Sequence, residues 1–231
     1  MKISVAMATY NGERFLEQQI LSILNQLNDD DELIISDNNS LDKTCDIINK
    51  YVQRDKRVKL YHCNEIGVIC NFNNALKHCT GDIIFLSDQD DIWQPNKVNK
   101  VLNIFYKEKC DLLIHDVYFI NEDSEMIHNH NLKSHFKPGV LKNIIKNSYM
   151  GCCMVFNKKI LNKIFPIPIN IPMHDQYIGI MAKLNGKVYF CNDKLIKYRR
   201  HSNNVSQKQN RITQIKNRYL IVKSLLRGIN R

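Results

Sequence analysis

No apolar run in the sequence approaches the ~20 residues needed to cross a bilayer. No secretory signal opens it and its eight cysteines form no CxxC pair, so we expect reduced thiols in a cytoplasmic protein. The patterns GxGxxG and GxxxxGK[ST] are both absent, which excludes a dinucleotide fingerprint and a P-loop. No recognised nucleic-acid-binding motif appears either. These absences leave a soluble protein, or one that lies on a membrane surface.

The composition favours one compact domain with a polyanionic partner. A chain of 231 residues suits one α/β domain with at most a small C-terminal appendage, and a hydrophobic fraction of 44% is ample for its core. The net charge of +10 and pI near 9.2 favour nucleic acid, an anionic membrane or a phosphorylated substrate as partner. Because the basic residues gather at the C-terminus and no nucleic-acid motif is present, we expect no nucleic acid.

The first half alternates strands and helices, which predicts a mostly parallel, doubly wound α/β sheet. Apolar runs predict strands, and apolar residues at helical spacing predict helices. The predicted strands are 2–8, 32–36, 58–63 and 83–87, and the predicted helices are 13–27, about 42–51, 71–78 and 97–107.

The second half predicts a less regular arrangement. Strands are expected at 111–119, 147–157, 188–191 and 195–198, and helices at 158–165, 176–184 and 211–231. The polar segment 121–137 shows little periodicity and predicts a loop over the site. The proline-rich stretch 166–172 cannot be helical and delivers Asp175 to the start of a helix, where a carboxylate is stabilised in its ionised form. A plain N-cap is the alternative for Asp175.

The segment Gly81–Trp93 is the centre of the chain: an apolar strand that ends in three carboxylates within four residues, Asp88, Asp90 and Asp91. Such crowding is unfavourable without a cation, and hard oxygen ligands suit Mg²⁺ or Mn²⁺. A solvated acidic turn is the alternative. An EF-hand is excluded because the sixth-position glycine and the closing glutamate are missing.

Polar residues also follow the other predicted parallel strands. They are Thr9 to Asn11, Asp37 and Asn64. The carboxyl ends of parallel strands share one edge of a sheet, where nucleotides bind in open α/β folds. Trp93, the only tryptophan, is equally consistent with the core and with stacking on a bound ligand. Gly151 before Cys152 suggests that a ligand approaches that strand closely.

The C-terminal segment predicts a basic amphipathic helix. Apolar residues recur at helical spacing, and lysines and arginines largely occupy other faces. We expect this helix to attach to an anionic membrane surface; packing on the main domain with a solvated basic face and a coiled-coil dimer are the alternatives. The apolar positions are Ile212, Ile215, Tyr219, Val222, Leu226 and Ile229.

Taken together, these pieces resemble the family-two glycosyltransferases of the GT-A fold over nearly the whole chain, within them the bacterial O-antigen and capsule enzymes with a DQDD-type motif. Any one motif is weak alone, but all stand in family order. They are Ala8-Thr9-Tyr10-Asn11-Gly12, Asp37, Asn64-x-x-Gly67, Gly81-Asp82, Asp88-Gln89-Asp90-Asp91-x-Trp93, His174-Asp175 and Tyr198-Arg199-x-His201.

The resemblance implies a role for each matching residue. Asp175 would be the catalytic base. Asp90 and His201 would hold Mn²⁺ or Mg²⁺, and Trp93, Gly151 and His174 would contact the acceptor. The residues expected to bind the donor nucleotide-sugar are Thr9, Tyr10, Asn11, Asp37, Asn64, Gly67, Asn71, Asp88 and Arg199.

Two departures from the family pattern bear on these roles. The second strand ends in Asp37-Asn38-Asn39 rather than two aspartates and a glycine, so base recognition differs in detail. An arginine common near position 72 is Phe72, which leaves the diphosphate to Asn71, Arg199, Arg200 or the metal.

The resemblance also implies the activity: an inverting, metal-dependent transfer of Gal or Glc from a UDP-sugar to a GlcNAc- or GalNAc-diphosphate-lipid, in O-antigen or surface polysaccharide synthesis. A rhamnosyltransferase using dTDP-rhamnose and a catalytically silent sugar-nucleotide binder are the alternatives. Residues 1–110 would form the nucleotide-sugar half, 111–205 the acceptor half and 206–231 the basic helix. The enzyme would act in the cytoplasm, on the inner face of the cytoplasmic membrane.

Overall fold

A computed structural model describes residues 1–127, 132, 136–137, 139–201 and 210–229, the side chains of residues 211 and 229 excepted. Its centre is one eight-stranded sheet in the order β3-β2-β1-β4-β7-β6-β8-β5. The strands are β1 Ile3–Thr9, β2 Glu32–Asp37, β3 Val58–His62, β4 Ile83–Ser87, β5 Ile92–Trp93, β6 Leu112–Ile120, β7 Met154–Asn157 and β8 Val188–Arg199.

Eight helices of the described chain accompany the sheet, with a single 3₁₀ turn at Gly151–Cys153. They are α1 Leu16–Leu24, α2 Thr44–Arg54, α3 Val68–Lys77, α4 Lys97–Glu108, α5 Val140–Ile145, α6 Lys158–Ile164, α7 His174–Asn185 and α8 Arg211–Ile229.

The predicted α/β architecture is confirmed, with the parallel order limited to part of the sheet. Strands β1 to β4 are parallel to one another, whereas β7 runs antiparallel to both β4 and β6. Strand β8 is parallel to β6, and the two-residue β5 pairs antiparallel with β8. The sheet is therefore mixed in its second half.

Sequence patterns were least accurate between residues 121 and 157. Helix α5 was not predicted, and the strand expected over 147–157 begins only at Met154. Its first part is the 3₁₀ turn that carries Gly151. The two strands expected after residue 187 are one continuous strand, β8. Of the predicted loop 121–137, residues 121–127, 132, 136 and 137 are described, and the others lie outside the described residues.

Both faces of the sheet are covered, which explains why its central strands read as continuous apolar runs. Along β1 the side chains alternate between two apolar clusters: Ala6 and Ala8 pack with α3, α6 and α7, whereas Val5 and Met7 pack with α1 and α4. Every residue of β1, β2 and β4 is buried.

The register brings the ends of these strands together. Thr9 at the end of β1 pairs with Asp37 at the end of β2, and Met7 pairs with Ser87 at the end of β4. The loops after β1, β2 and β4 therefore meet at one edge of the sheet, as expected from the pattern.

Helix α8 packs on the domain through a face that the sequence did not indicate. Ile221 and Leu225 are buried in the core cluster beside α7. A Cβ at Gly228 would lie 2.6 Å from the Tyr177 hydroxyl, so only glycine permits this approach. The expected stripe faces outward, with Ile212 80% and Leu226 60% exposed. Packing through that stripe is thus excluded for the described side chains. Among the described residues, no helix combines the length and apolar character required to span a bilayer.

One buried charge in the sheet yields a stability prediction. Burial alone would raise the pKa of Glu32, but hydrogen bonds from Ser4, Lys59 and Thr80 outweigh it and lower the pKa to about 2. A lowered folded-state pKa stabilises the protein above the unfolded pKa, and that contribution is lost as pH falls toward 2. We expect Glu32→Gln to cost about 2 kcal/mol at pH 7.

Chemical denaturation at several pH values checks this expectation. The difference between Glu32→Gln and the unaltered protein should shrink between pH 4.5 and pH 2, the window set by the two pKa values. A difference that stays constant over that window would contradict the assignment of the stabilising energy to the ionised carboxylate. Glu13→Gln is the exposed control.

Candidate active site

The edge shared by β1 and β2 is held by a buried carboxylate. Asp37 is fully buried and accepts hydrogen bonds from the Thr9 hydroxyl (2.9 Å), the Ser40 hydroxyl (2.6 Å) and the Ser40 N–H (2.9 Å). The predicted donor residues Thr9 and Asp37 are therefore in direct contact. Tyr10, one residue on, is 57% exposed, so its ring is free to stack on a base.

Two polar clasps fix the loop after β1. The Gln89 side chain accepts from the Tyr10 N–H at 2.8 Å and donates to the Tyr10 carbonyl at 3.0 Å. Asn11 adopts a positive φ of 46° and accepts from the Leu41 N–H at 2.8 Å. The first clasp joins the loop after β1 to the acidic loop after β4.

The third strand end is tied to the second by Asn38. Its amide donates to the carbonyls of Cys63 and Glu65, and its Oδ1 accepts from the Gly67 N–H. Gly67, at φ 128°, begins α3, and Asn64 beside it is exposed. Asn38, which stands where the family pattern has an aspartate, therefore connects the end of β2 to the loop after β3.

Asn71 lies beneath the same edge. It is buried and donates to the Thr9 carbonyl at 2.9 Å, while its Oδ1 has no hydrogen-bond partner among the described residues. The predicted donor residues Thr9, Asp37 and Asn71 are therefore linked to one another by hydrogen bonds at Thr9.

Four carboxylates gather where β4 ends; we call Asp88, Asp90, Asp91 and Asp175 the carboxylate cluster. Loss of hydration, then the charges of Asp90 and Asp175, raise the pKa of Asp88 to about 7. Burial, then the charges of Asp90 and Asp88, raise the pKa of Asp91 well above its usual range. Asp91 Oδ2 is buried and lacks a partner within the described part of the chain. Burial and crowding therefore disfavour the ionised carboxylates here, and a bound cation would stabilise them.

The donor atoms at this cluster suit a hard divalent cation. Asp90 Oδ2 lies 2.7 Å from His201 Nε2, so the two predicted metal ligands are adjacent although 111 residues separate them. Carboxylate oxygens with one imidazole are ligands that Mn²⁺ and Mg²⁺ accept. Ligand atoms of Asp88, Asp91 and Cys152 also lie within 4.8 Å of one another. Because the pKa of the buried Cys152 thiol is raised well above its usual range, the oxygen donors fit better than the sulfur.

Arg199 holds the acidic loop in place. It is buried, donates from its backbone N–H to Asp91 Oδ1 and from Nε to the Asp90 carbonyl, and stacks over the Phe15 ring at 4.4 Å. Its Nη atoms donate to the carbonyls of Asn121 and Glu122 and to Gln18. The structure therefore directs this guanidinium into protein, and diphosphate binding by Arg199 stays a prediction.

Asp175 reaches the cluster from α7. Helix α7 begins at His174 with Met173 as its N-cap, so Asp175 is not the N-cap and that alternative is wrong. The Asp175 carboxylate is 5% exposed and accepts from Asn147 Nδ2 at 3.0 Å. Burial raises its pKa to about 6 despite the hydrogen bonds it receives from Gln176, Asn147 and Gly151. It is thus a stronger base than an ordinary aspartate and still ionised at neutral pH.

The neighbouring histidine is neutral and confined. Burial lowers the pKa of His174 to about 4, and its ring stacks on Phe72 at 4.4 Å. A Cβ at Gly151 would lie 2.7 Å from His174 Nε2, an atom with no partner in the described structure. The close approach anticipated at Gly151 is made by His174, and contact between Gly151 and the acceptor stays a prediction. Phe72, at the position where the resemblance led us to expect an arginine, packs against the His174 ring.

Trp93 belongs to the core. It is 3% exposed, its ring lies 5.2 Å from Phe85, and the Lys97 Nζ sits 4.1 Å from its centre. A ring this buried has no face to offer a sugar, so acceptor stacking by Trp93 is replaced by the core alternative. Burial also lowers the pKa of Lys97 to about 8.

Several site residues were missed from the sequence alone. No periodicity in the sequence marks Gln89, Asn147 or Lys97, because each of them acts through a contact with a distant part of the chain. Only the position of Gln89 between the aspartates of the acidic stretch pointed to it.

The sequence profile of glycosyl transferase family 2 matches residues 4–165, more than half of the chain. The chain belongs to glycosyltransferase family 2. Its relatives in this family include a glycosyltransferase of Nostoc sp., 27% identical over 88% of this chain and 66% of its own length. WfgD of Escherichia coli, a UDP-Glc:α-D-GlcNAc-diphosphoundecaprenol β-1,3-glucosyltransferase, is 27% identical over 94% of this chain and 83% of its own.

A relative with a different named donor has the same sequence identity over a somewhat smaller share of the chain. RfbG of Shigella flexneri, a dTDP-rhamnosyl transferase, is 27% identical over 86% of this chain and 72% of its own length. Among solved structures, S. aureus TarS in complex with UDP-GlcNAc superposes with a TM-score of 0.76 at 20% identity, over 98% of this chain and 67% of TarS. This likeness confirms the GT-A fold. The chain spans about two thirds of the length of TarS and of the Nostoc relative.

Proposed function

We propose that this glycosyltransferase moves a hexose, Gal or Glc, from a UDP-sugar to a GlcNAc- or GalNAc-diphosphate-lipid with inversion, in O-antigen or surface polysaccharide synthesis. The observation that carries the proposal is the carboxylate cluster at the sheet edge, where the buried base Asp175 faces the acids that end β4. WfgD, which aligns over nearly the whole chain, supports this donor and acceptor class.

Asp175 is the proposed general base. Its raised pKa of about 6 makes it basic enough to take the proton of an acceptor hydroxyl and leaves it ionised at pH 7. Asn147 holds one carboxylate oxygen at 3.0 Å and thereby fixes the orientation of the group. One base opposite the leaving group implies direct displacement with inversion, without the second carboxylate of a retaining glycosidase.

Asp90 and His201, with Asp88, are the proposed ligands of Mn²⁺ or Mg²⁺. When bound, the cation would neutralise the leaving diphosphate as a Lewis acid. The protein's part is positioning: Arg199 fixes the backbone of Asp90, and Asp91 anchors the same loop to β8. His201 approaches from beyond β8 and orients the Asp90 carboxylate.

The donor nucleotide would lie along the edge formed by Thr9, Tyr10 and Asp37, with Asn11, Asn64, Gly67 and Asn71 around it. The exposed Tyr10 ring is the proposed base-stacking surface. Asn71 Oδ1, which has no hydrogen-bond partner among the described residues, is proposed to accept a hydrogen bond from a hydroxyl of the nucleotide-sugar. His174 is neutral, and its Nε2 has no partner within the described ranges; it is the proposed contact for an acceptor hydroxyl beside Asp175.

The proposed functional parts follow one another along the sequence. We propose residues 1–110 as the nucleotide-sugar half, 111–205 as the acceptor half and 206–231 as the basic helix. Because the acceptor would be lipid-linked, the enzyme would work at the cytoplasmic face of the membrane. Use of dTDP-rhamnose is the second candidate, favoured by the similarity to RfbG; a silent sugar-nucleotide binder is the third.

A donor panel tests the proposal. Transfer from UDP-Gal, UDP-Glc, UDP-GlcNAc and dTDP-Rha to a GlcNAc-diphosphate-lipid analogue is measured with Mn²⁺ and again with EDTA. We expect product from UDP-Gal or UDP-Glc that is lost with EDTA. Product from dTDP-Rha alone would establish the rhamnosyltransferase alternative, and donor binding without product would establish the silent binder.

The hydrogen bond from Asn147 gives a pH prediction. It favours the ionised form of Asp175, so Asn147→Ala removes a lowering influence and raises the pKa further above about 6. We expect the acidic limb of kcat/KM, near pH 6 in the unaltered enzyme, to move to higher pH in the variant. Asn185→Ala, at the other end of α7, is the matched control. An unmoved limb would exclude Asp175 as the titrating base.

A further inference from the structure

Helix α8 has two apolar faces, and in the part of the chain that the structure describes only one of them packs on the domain. Ile221 and Leu225 are buried against the domain, whereas Ile215 is 64% and Tyr219 63% exposed. At about 100° per residue, the exposed apolar residues fall in one stripe on the side away from the packed face. The stripe comprises Ile212, Ile215, Tyr219, Val222 and Leu226.

Cations border this stripe on both sides. On the same helical geometry, Lys216, Lys223 and Arg227 lie along one border, and Arg218 lies along the other. Lys216, Lys223 and Arg227 are exposed. Helix α8 contains no acidic residue. An apolar stripe between cationic borders is the pattern of a helix that lies in a lipid interface.

Helix α5 extends the same surface. Arg218 Nε donates to the Ile145 carbonyl at 3.1 Å, so the end of α5 abuts α8. Leu141 and Ile145, one helical turn apart, are 74% and 62% exposed, and the intervening Lys142 is also exposed. We call the exposed residues of these two helices the α5–α8 face.

Charge along the chain is strongly uneven. Residues 126–231 hold 20 of the 33 lysines and arginines but only 2 of the 23 acidic residues, Asp175 and Asp193. The half that carries the α5–α8 face therefore has a net charge of +18, against −8 for residues 1–125. The overall charge of +10 conceals this division.

We propose that the α5–α8 face docks the protein on an anionic lipid bilayer. Apolar side chains would enter the interface while the bordering cations meet lipid headgroups. A second copy of the chain fits less well, because pairing two such faces would oppose their cations without any carboxylate from α5 or α8 between them. The placement also suits the proposed function, on which this one point rests: Asn147, just past α5, touches Asp175, so a lipid-linked acceptor would enter beside the bilayer.

Vesicle cosedimentation tests the docking independently of transfer. The full chain is mixed with phosphatidylcholine vesicles containing or lacking phosphatidylglycerol, at low and high salt. We expect binding that needs the anionic lipid and weakens with salt. Lys216→Glu/Lys223→Glu should weaken binding at least about tenfold. Lys50→Glu/Lys77→Glu, exposed on α2 and α3, makes the same charge change elsewhere and should bind as the unaltered protein does.

The apolar contribution is tested with Ile215→Ser/Tyr219→Ser, whose side chains are exposed and whose loss should leave the fold, checked by circular dichroism, intact. We expect this variant to lose vesicle binding yet keep its turnover of a short-chain, water-soluble acceptor. Equal binding to both vesicle types, or equal loss in the α2–α3 control, would overturn the proposal. A dimer in sedimentation velocity that this variant dissociates would assign the face to a second copy. Vesicle binding without any transfer would instead refute the proposed function alone.

Discussion

Asp175→Asn is expected to reduce transfer by about 1,000-fold while leaving donor binding nearly unchanged. The substitution keeps the shape of the group but removes its ability to accept a proton, and general-base catalysis contributes about 10²–10⁴-fold. The carboxylate is buried, held by Asn147 and raised in pKa to about 6, so its environment suits proton transfer. Steady-state turnover and calorimetric titration with the nucleotide-sugar measure the two effects separately.

Asp193→Asn is the matched control for this experiment. Asp193 is exposed on β8 and its carboxylate makes no hydrogen bond described in the structure, so turnover should be unchanged. If Asp175→Asn retained full activity, another group would remove the proton. If neither the unaltered protein nor the variant transferred sugar, the silent-binder alternative would follow.

Asp90→Asn is expected to weaken Mn²⁺-dependent donor binding by at least about 100-fold and to abolish turnover with it. Substitution of groups that only support a metal ligand costs about 10–100-fold, and Asp90 is itself the proposed ligand. Its Oδ2 lies 2.7 Å from His201 Nε2, so His201→Ala should act in the same direction with a smaller effect. Titration of donor at several Mn²⁺ concentrations reports the coupling between the two ligands.

Asp30→Asn, an exposed carboxylate in the turn before β2, provides the comparison for nonspecific loss of charge. Donor binding that persists undiminished in Asp90→Asn would refute the metal assignment. If the unaltered protein still bound the donor in EDTA, the donor would bind through the β1–β2 edge without a cation.

The parallel half of the fold and its strand ends were predictable because they depend on local pattern. Strand β4 has the predicted bounds, and Thr9 meets Asp37 as expected, since parallel register follows from buried apolar runs. The adjacency of Asp90 and His201 was also expected, but only through the family resemblance. Nothing local in the sequence links residues 111 positions apart.

What could not be predicted depends on contacts between distant segments. The core position of Trp93 follows from Lys97 covering its ring, and the packed face of α8 from Gly228 fitting against Tyr177. A helical wheel shows two apolar faces on α8 without showing which one the domain covers. Helix α5, one and a half turns long, leaves too short a pattern to recognise.

Arg199 has a consequence for the order in which the protein folds. Its bonds to Asp90 and Asp91 span more than 100 residues, and contacts of such sequence separation form late because their loop-closure entropy must be overcome. Until β8 docks, the acidic loop after β4 lacks the hydrogen bonds that Arg199 gives to Asp90 and Asp91. We therefore expect the parallel edge of β1, β2 and β4 to form before Arg199 anchors the acidic loop, an order that pulsed amide hydrogen exchange during refolding would test.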